Sequence, residues 1–352
     1  MTDIADTTDM AEVLAAQGRL AQLVFGGMAA HVVGQVTRWR LSERIGDGDR
    51  GAAELADELG TPEHTTVRVL RAAAALGILS EPTSGRFALT EAGAQLRADH
   101  PMSLYAVARV LTDPLLTAAW LRLPDSVHTG LPAFDDLHGT DLFAHLRTES
   151  ELSALFNAAM GQGTREVAAT LPQHYDFSRF ETVLDIGGGD GTMLSAILGE
   201  HPTLRGILFD TAEGGAQAAE NFRAAGVAGR CTVETGDFFT AVPDGADLHL
   251  LKSVVHDWPD DQVVTILRHC RRALPDDGRL LIVESVLPDT VDGNDPYAYL
   301  NDLNMLVNLG GRERTQADFE RVCARAGFTV TGVTRLLPYT MTSCIEAEPG
   351  PA

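Results

Sequence analysis

The stretch from Glu181 to Leu198, E-T-V-L-D-I-G-G-G-D-G-T-M-L-S-A-I-L, decides how the chain folds. Val183, Leu184 and Ile186 form a short apolar run that reads as a buried strand. Gly187, Gly188, Gly189 and Gly191 follow, and Thr192, Leu194, Ile197 and Leu198 then carry a helical pattern. Strand, glycine turn and helix open a nucleotide-binding α/β unit, because backbone without Cβ lets a ligand approach closely. A dinucleotide loop, G-x-G-x-x-G/A, requires Gly or Ala where Thr192 stands. Asp185 and Asp190 would also set two negative charges against a pyrophosphate. A ligand that has no phosphate and carries a sulfonium and an ammonium suits these carboxylates, and S-adenosylmethionine is such a ligand.

Working outward, the chain after Phe180 alternates strand and helix patterns. Strands are predicted at 182–186, 205–210, 231–234, 246–251 and 279–284, with two more at 328–337 and 341–347. Helices are predicted near 190–200, 212–225, 259–274 and 315–326. This is the pattern of an α/β, Rossmann-like doubly wound sheet. Before it, residues 101–175 read as a helical bridge. Residues 53–97 read as helix, turn, helix and two short strands around Ser84-Gly85, the layout of a winged helix. Residues 10–40 are helical and carry more apolar side chains than one small domain needs, which predicts a partner helix from a second subunit. The domain reading is therefore 1–105, helical and winged-helix-like for dimerisation, and 106–352, catalytic, with 106–175 lining an acceptor pocket.

Composition narrows the function. The 352 residues suffice for two domains, and the formal charge of -22 repels nucleic acid and anionic membrane. A DNA-reading role for the winged-helix pattern is further disfavoured because its second helix offers only Arg68 and Arg71 to phosphates. The four cysteines lie far apart without metal-site spacing, as thiols in a reducing compartment do. Asp3, Asp6 and Asp9 stand where a secretory leader would be basic, and Leu23–Val36 is interrupted and too short to span a bilayer. The expectation is cytoplasmic, with neither nucleic acid nor membrane as partner.

Ligands of open α/β sheets bind outside the carboxyl ends of the strands, and the polar residues fall there in order. Asp210 closes G-I-L-F-D, nineteen residues past Gly191, where a carboxylate accepts ribose hydroxyls. Gly236-Asp237-Phe238-Phe239 follows the third strand, with Asp237 for an adenine amino group and Phe238 for the base. L-K-S-V-V-H-D-W-P-D-D, 251 to 261, places His256 at the mouth of the sheet as a general base, since an ordinary imidazole pKa near 6.5 suits proton removal near neutrality. Glu284 ends the apolar run R-L-L-I-V-E-S-V and needs a partner, for which the imidazole edge is the natural choice. Glu313, in G-G-R-E-R-T, is either a second such partner or an ion-pair mate of Arg312 or Arg314 at a surface turn.

These motifs together resemble the homodimeric S-adenosylmethionine-dependent O-methyltransferases of the plant caffeate and flavonoid type, and most of all their bacterial relatives that decorate antibiotics. The resemblance runs over nearly the whole chain, from the winged-helix region through V-L-D-I-G-G-G-D-G, G-D-F-F and H-D-W to G-G-R-E-R-T. It implies methyl transfer to a phenolic hydroxyl of an aromatic acceptor, leaving S-adenosylhomocysteine and using no metal. It implies His256 as base, with Glu284 and Glu313 holding its ring. It assigns Asp185, Gly187, Gly189, Asp210, Gly236, Asp237, Phe238, Lys252 and Ser253 to the cofactor. Met160, Thr164, Asp257, Asn304 and Asn308 are assigned to the acceptor. The segment between Pro288 and Gly310 is shorter than in the plant pattern, so the plant substrates do not carry over.

Three other readings share parts of this pattern. A nicotinamide dehydrogenase would need the third glycine. A winged-helix regulator sensing a small ligand would need a basic recognition face. The same fold and cofactor could also serve N- or C-methylation or a non-methylating reaction, which His256 disfavours.

Overall fold

A computed structural model of the chain describes residues 3–291, 295–337 and 340–350. It divides into two compact units, Met1–Pro114 and Leu115–Ala352. Part of the shortened segment, residues 292–294, lies outside the described residues.

The first unit contains α1 (Asp3–Arg38), α2 (Leu41–Ile45), β1 (Asp49–Gly51), α3 (Ala52–Leu59), α4 (Glu63–Ala75), β2 (Leu79–Thr83), β3 (Arg86–Leu89), α5 (Glu91–Ala94) and α6 (Tyr105–Leu111). The three strands pair antiparallel in the order β1-β3-β2. They close over a core of Leu55, Leu70, Ala73, Leu79 and Phe87. β1 is a strand that the periodicity did not reveal, since D-R-G has no apolar residue to alternate. Only the C-terminal part of α1 enters this core, through Val36, while Leu23, Val24, Phe25 and Met28 are all at least 60% exposed. The expectation that the N-terminal apolar stretch is too short to span a bilayer needs correction. The glycines do not break the helix, and Met10–Arg38 is long and apolar enough to cross a membrane by length and composition.

The second unit begins with α7 (Pro114–Trp120), α8 (Leu123–Thr129), α9 (Ala133–His138), α10 (Leu142–Leu146) and α11 (Ser150–His174). There follow β4 (Thr182–Ile186), α12 (Thr192–Glu200), β5 (Arg205–Asp210), α13 (Ala218–Ala224), β6 (Cys231–Thr235), β7 (Leu248–Lys252) and α14 (Asp260–Ala273). The chain finishes with β8 (Arg279–Leu287), α15 (Pro296–Asn308), β9 (Arg314–Thr315), α16 (Gln316–Ala326), β10 (Phe328–Arg335) and β11 (Thr342–Pro349). The sheet runs β10-β11-β8-β7-β4-β5-β6, parallel from β8 through β6 and antiparallel at β11 and β10.

Chain direction across this sheet reverses at β4, whose neighbours are β5 and β7, so the crevice beyond the ends of β4 and β7 is the switch point where such sheets bind ligands. The central strands are apolar on both faces because helices cover both. Leu184, Ile186 and Leu251 pack with Val264 and Leu267 of α14 and Phe319 of α16. Val183, Leu250 and Val283 pack with Leu194 and Ile197 of α12 and Leu171 of α11. Full burial of each such side chain contributes about 1.5–3 kcal/mol. α14 begins with Asp260 and Asp261 and ends with Arg271 and Arg272, matching the helix dipole at both ends. α16 is opened by a capping box between Thr315 and Asp318.

Candidate active site

Three features form the switch-point crevice. The first is the glycine turn after β4. Gly187 has φ 70°, and a Cβ there would lie 2.7 Å from Val254 Cγ2, so only glycine fits without displacing the segment before His256. The second is Asp210, at the end of β5, whose Oδ2 accepts from Gly189 N at 2.8 Å while Oδ1 accepts from Thr211 N at 2.6 Å. Burial raises its pKa above the ordinary carboxylate range, against these backbone bonds. The third is Asp185, 1% exposed, whose Oδ2 has no hydrogen-bond partner. Burial, and then the charge of Asp210, push it up to about 7.

A buried carboxylate oxygen without a partner is costly, and a cationic ligand resolves the cost. Asp190 spends Oδ1 on Thr192 N at 3.0 Å, at the start of α12. Gly236 donates to Asp210 O at 2.9 Å and has Phe209 where a Cβ would sit. Asp237 is exposed and closes its own turn, accepting from Phe239 N at 2.8 Å, and Phe238 lies edge-on to Phe239 with centroids 5.0 Å apart. Carboxylates, open backbone and no basic side chain in the turn fit S-adenosylmethionine.

Next along the sheet, β7 ends in Lys252, whose Nζ donates to Thr164 Oγ1 at 2.9 Å. Burial lowers the Lys252 pKa, while Glu284, Asp185 and Asp257 oppose that shift. Ser253 then takes φ 53°, one of two described non-glycine residues in the left-handed region, and turns the chain into the short helix 255–257. His256 Nδ1 lies 2.9 Å from Glu313 Oε1 and 3.6 Å from Glu284 Oε2, and Nε2 lies 3.5 Å from Asp257 Oδ1.

The two glutamates relate to the ring differently. Glu284 does not spend its hydrogen bonds on the imidazole. Its Oε1 accepts from the amides of Val254 and Val255, both at 2.9 Å, and so fixes the turn, while Oε2 keeps its charge 3.6 Å from the ring. Glu313 does not pair with Arg312 or Arg314. It is 4% exposed and accepts from the ring and, at 2.7 Å, from Asn301 Nδ2, whereas those arginines bind Asp260.

The ring is also a stronger base than an ordinary imidazole. Burial alone would lower its pKa, but the charges of Glu284, Asp257 and Glu313 outweigh burial and raise it to about 10. Burial in turn raises Asp257 to about 7 and lifts Glu284, with the imidazole acting against both shifts. His256, Glu284 and Glu313 bring ligand atoms within 4.8 Å of one another, a spacing a cation could use. The 2.9 Å between Nδ1 and Oε1 is that of a hydrogen bond aiming the ring.

A cavity of about 160 Å³ touches Lys252, Ser253, His256, Glu284, Asn301 and Glu313, so residues expected at the cofactor and residues around the imidazole share one space. Of the residues expected on the acceptor, Met160 is 46% exposed, and Thr164 already donates to Met160 O at 2.7 Å as well as accepting from Lys252. Asn304 Oδ1 accepts from Trp120 Nε1 at 3.0 Å and Asn308 Nδ2 at 2.9 Å, joining α7 to α15. Asn308 is 1% exposed with Oδ1 unpartnered.

Asn301, Arg314 and Gly311 were not singled out from sequence. Asn301 could have been found, because Asn301, Asn304 and Asn308 recur at helical spacing on one face. Gly311 has no room for a Cβ, which would fall 2.0 Å from His256 O. Arg314 is fully buried and bonds to Val255 O, Trp258 O and Asp260.

A family model described as an O-methyltransferase domain matches residues 120–329. The O-demethylpuromycin-O-methyltransferase of Streptomyces alboniger is 46% identical over 351 residues, covering 99% of this chain and 93% of that protein. The solved structure of the mitomycin 7-O-methyltransferase MmcR superposes with a TM-score of 0.90 at 32% identity, covering 97% of this chain and 100% of that one. The O-methyltransferase NcsB1 from neocarzinostatin biosynthesis, solved with S-adenosylmethionine and 2-hydroxy-5-methyl naphthoic acid, superposes with a TM-score of 0.78 at 31% identity, covering 91% and 95%.

Proposed function

This chain belongs to the O-methyltransferase family, and from that premise we propose how its own residues carry the reaction. The enzyme is an S-adenosylmethionine-dependent O-methyltransferase that acts on a phenolic hydroxyl of an aromatic small molecule in antibiotic or related secondary metabolism. The cofactor supplies an electrophilic methyl group. Asp185, Gly187, Gly189, Asp210, Gly236, Asp237, Phe238, Lys252 and Ser253 surround it. Asp210 faces the ribose.

His256 takes the phenolic proton. The observation that carries this reading is the 2.9 Å bond from Nδ1 to Glu313, which places a proton on Nδ1, so that in the neutral ring Nε2 is the nitrogen whose lone pair is left for the acceptor. A phenol has a pKa near 10. A ring raised to about 10 by its carboxylates matches it, so proton transfer is close to thermoneutral. The same carboxylates keep most of the resting ring protonated at neutral pH, so basicity is gained at the expense of availability. Met160, Thr164, Asp257, Asn304 and Asn308 line the acceptor side, with Trp120 holding Asn304 in place.

We further assign the winged-helix-like N-terminal region, residues 1–105, to homodimerisation. The exposed apolar face of α1 supports this. We also propose a cytoplasmic location: the charge of -22 disfavours nucleic acid and anionic membrane, the four cysteines are free, and the apolar length of α1 is taken up by the subunit interface rather than by a bilayer.

The direct test is calorimetric titration of S-adenosylhomocysteine and NADH into wild type and Asp210→Ala. Wild type should bind S-adenosylhomocysteine and not NADH, and the variant should lose most of the affinity. Folded wild type that ignores S-adenosylhomocysteine would overturn the reading.

A further inference from the structure

The turn that carries His256, with the start of α14 after it, is held by several hydrogen bonds, and the side chain that makes the most of them is Arg314. Its guanidinium donates through one terminal nitrogen to Val255 O at 2.8 Å and through the other to Trp258 O at 2.8 Å. The second nitrogen and Nε also reach Asp260 Oδ1, at 2.8 and 3.1 Å. One planar group thus bridges the residue before His256, the residue two beyond it and the first residue of α14. Glu284 takes the amides of Val254 and Val255, and Arg312 N donates to His256 O at 2.8 Å.

Position in sequence adds the functional link. Arg314 is the next residue after Glu313, and β9 pairs through Val286↔Arg314 with β8, the strand that presents Glu284. Clamp, ring partner and turn partner therefore share one rigid frame. Arg314 is 0% exposed, and a charge is placed there only with full pairing.

We infer that Arg314 is a positioning residue for His256, setting the separation between the imidazole and Glu313 by fixing the two carbonyls that flank the base. This rests on the reading of His256 as the base. A lysine keeps the charge but offers a single ammonium that cannot span both carbonyls and Asp260 as the fork does. The groups facing the ring are Asp257 in its own turn, Glu284 from β8 and Glu313 from the loop before β9, with Lys252 of β7 beyond Asp257. None of these changes in Arg314→Lys, so a change in ring titration reads position and not a lost charge.

The experiment is an NMR titration of ring-labelled histidine in Arg314→Lys and wild type, both saturated with S-adenosylhomocysteine. His256→Ala assigns the signal, and calorimetry measures the dissociation constant. His256 in Arg314→Lys should titrate at least about one pH unit lower than in wild type, with S-adenosylhomocysteine affinity within threefold. An unchanged His256 titration, or equal losses of ring signal, affinity and melting temperature, would overturn the inference. Failure of wild type to bind S-adenosylhomocysteine would instead strike the methyltransferase reading. Should Arg314→Lys not fold, Asp260→Glu, which keeps the charge but displaces the guanidinium's carboxylate anchor, should move the titration in the same direction, and no movement there would overturn it.

Discussion

Replacing Glu313 by glutamine removes one charge at the base while keeping its shape. The amide oxygen of the glutamine can still accept from Nδ1 and from Asn301, so the ring keeps its aim. What changes is the electrostatics. Three carboxylates, Glu284, Asp257 and Glu313, lift His256 from an ordinary 6.5 to about 10, and Glu313 is the one in direct hydrogen-bond contact. Losing it should lower the ring's pKa by about 1, equivalent to roughly 1.4 kcal/mol.

If His256 is the base, as proposed, its working form is neutral, so wild-type methyl transfer should rise with pH into the alkaline range. In Glu313→Gln that limb should move down by about one pH unit, while the plateau falls ~10-fold or more because the developing imidazolium has lost a counter-charge. The variant should therefore be least impaired near neutrality. The assay is the single-turnover rate against pH, paired with NMR titration of His256, which separates the ring from the titration of the phenol itself. A wild-type ring titrating near 6.5, or an unmoved ring in Glu313→Gln, would refute the electrostatics.

Three further perturbations test other parts of the account. Asp185 has a pKa raised to about 7, so its attraction for a cationic ligand should fade as pH drops through 7; S-adenosylhomocysteine binding should release protons there, measured by calorimetry in two buffers, and Asp185→Asn should abolish the release. His249, in β7, is 0% exposed with both ring nitrogens unpartnered, and burial lowers its pKa to about 4. Because the unfolded ring binds its proton near 6.5, folding stability should fall as pH drops from 6.5 toward 4, by about 2 kcal/mol at pH 5 relative to pH 7, and His249→Leu should flatten that slope in denaturant titrations. Gly311→Ala forces a methyl against His256 O and Asp257 C, at 2.0 and 2.4 Å, so the turn must shift; kcat should fall ~10²-fold while S-adenosylhomocysteine affinity changes little.

Most of the catalytic fold is legible in the sequence because the candidate site residues sit where apolar strands stop. Asp210, Lys252 and Glu284 each close or nearly close a run of buried residues, and periodicity locates such ends. α15 escaped because Asn301, Asp302, Asn304 and Asn308 make it polar enough to resemble a loop. Arg314 escaped for another reason. Its partners are backbone carbonyls and an aspartate 54 residues away, so nothing beside it in sequence separates it from a surface arginine. The elevated basicity of His256 was equally hidden, since the three carboxylates that raise it reach the ring from positions 257, 284 and 313.

The central claim is methyl transfer to a phenol through His256. The most direct measurement follows labelled methyl from S-adenosylmethionine into a panel of phenols that includes O-demethylpuromycin, by mass spectrometry, for wild type and His256→Ala. Wild type should place the label on a phenolic oxygen, and the variant should do so at a rate at least ~10²-fold lower. Label on no phenol, or an undiminished rate without the histidine, would contradict that claim.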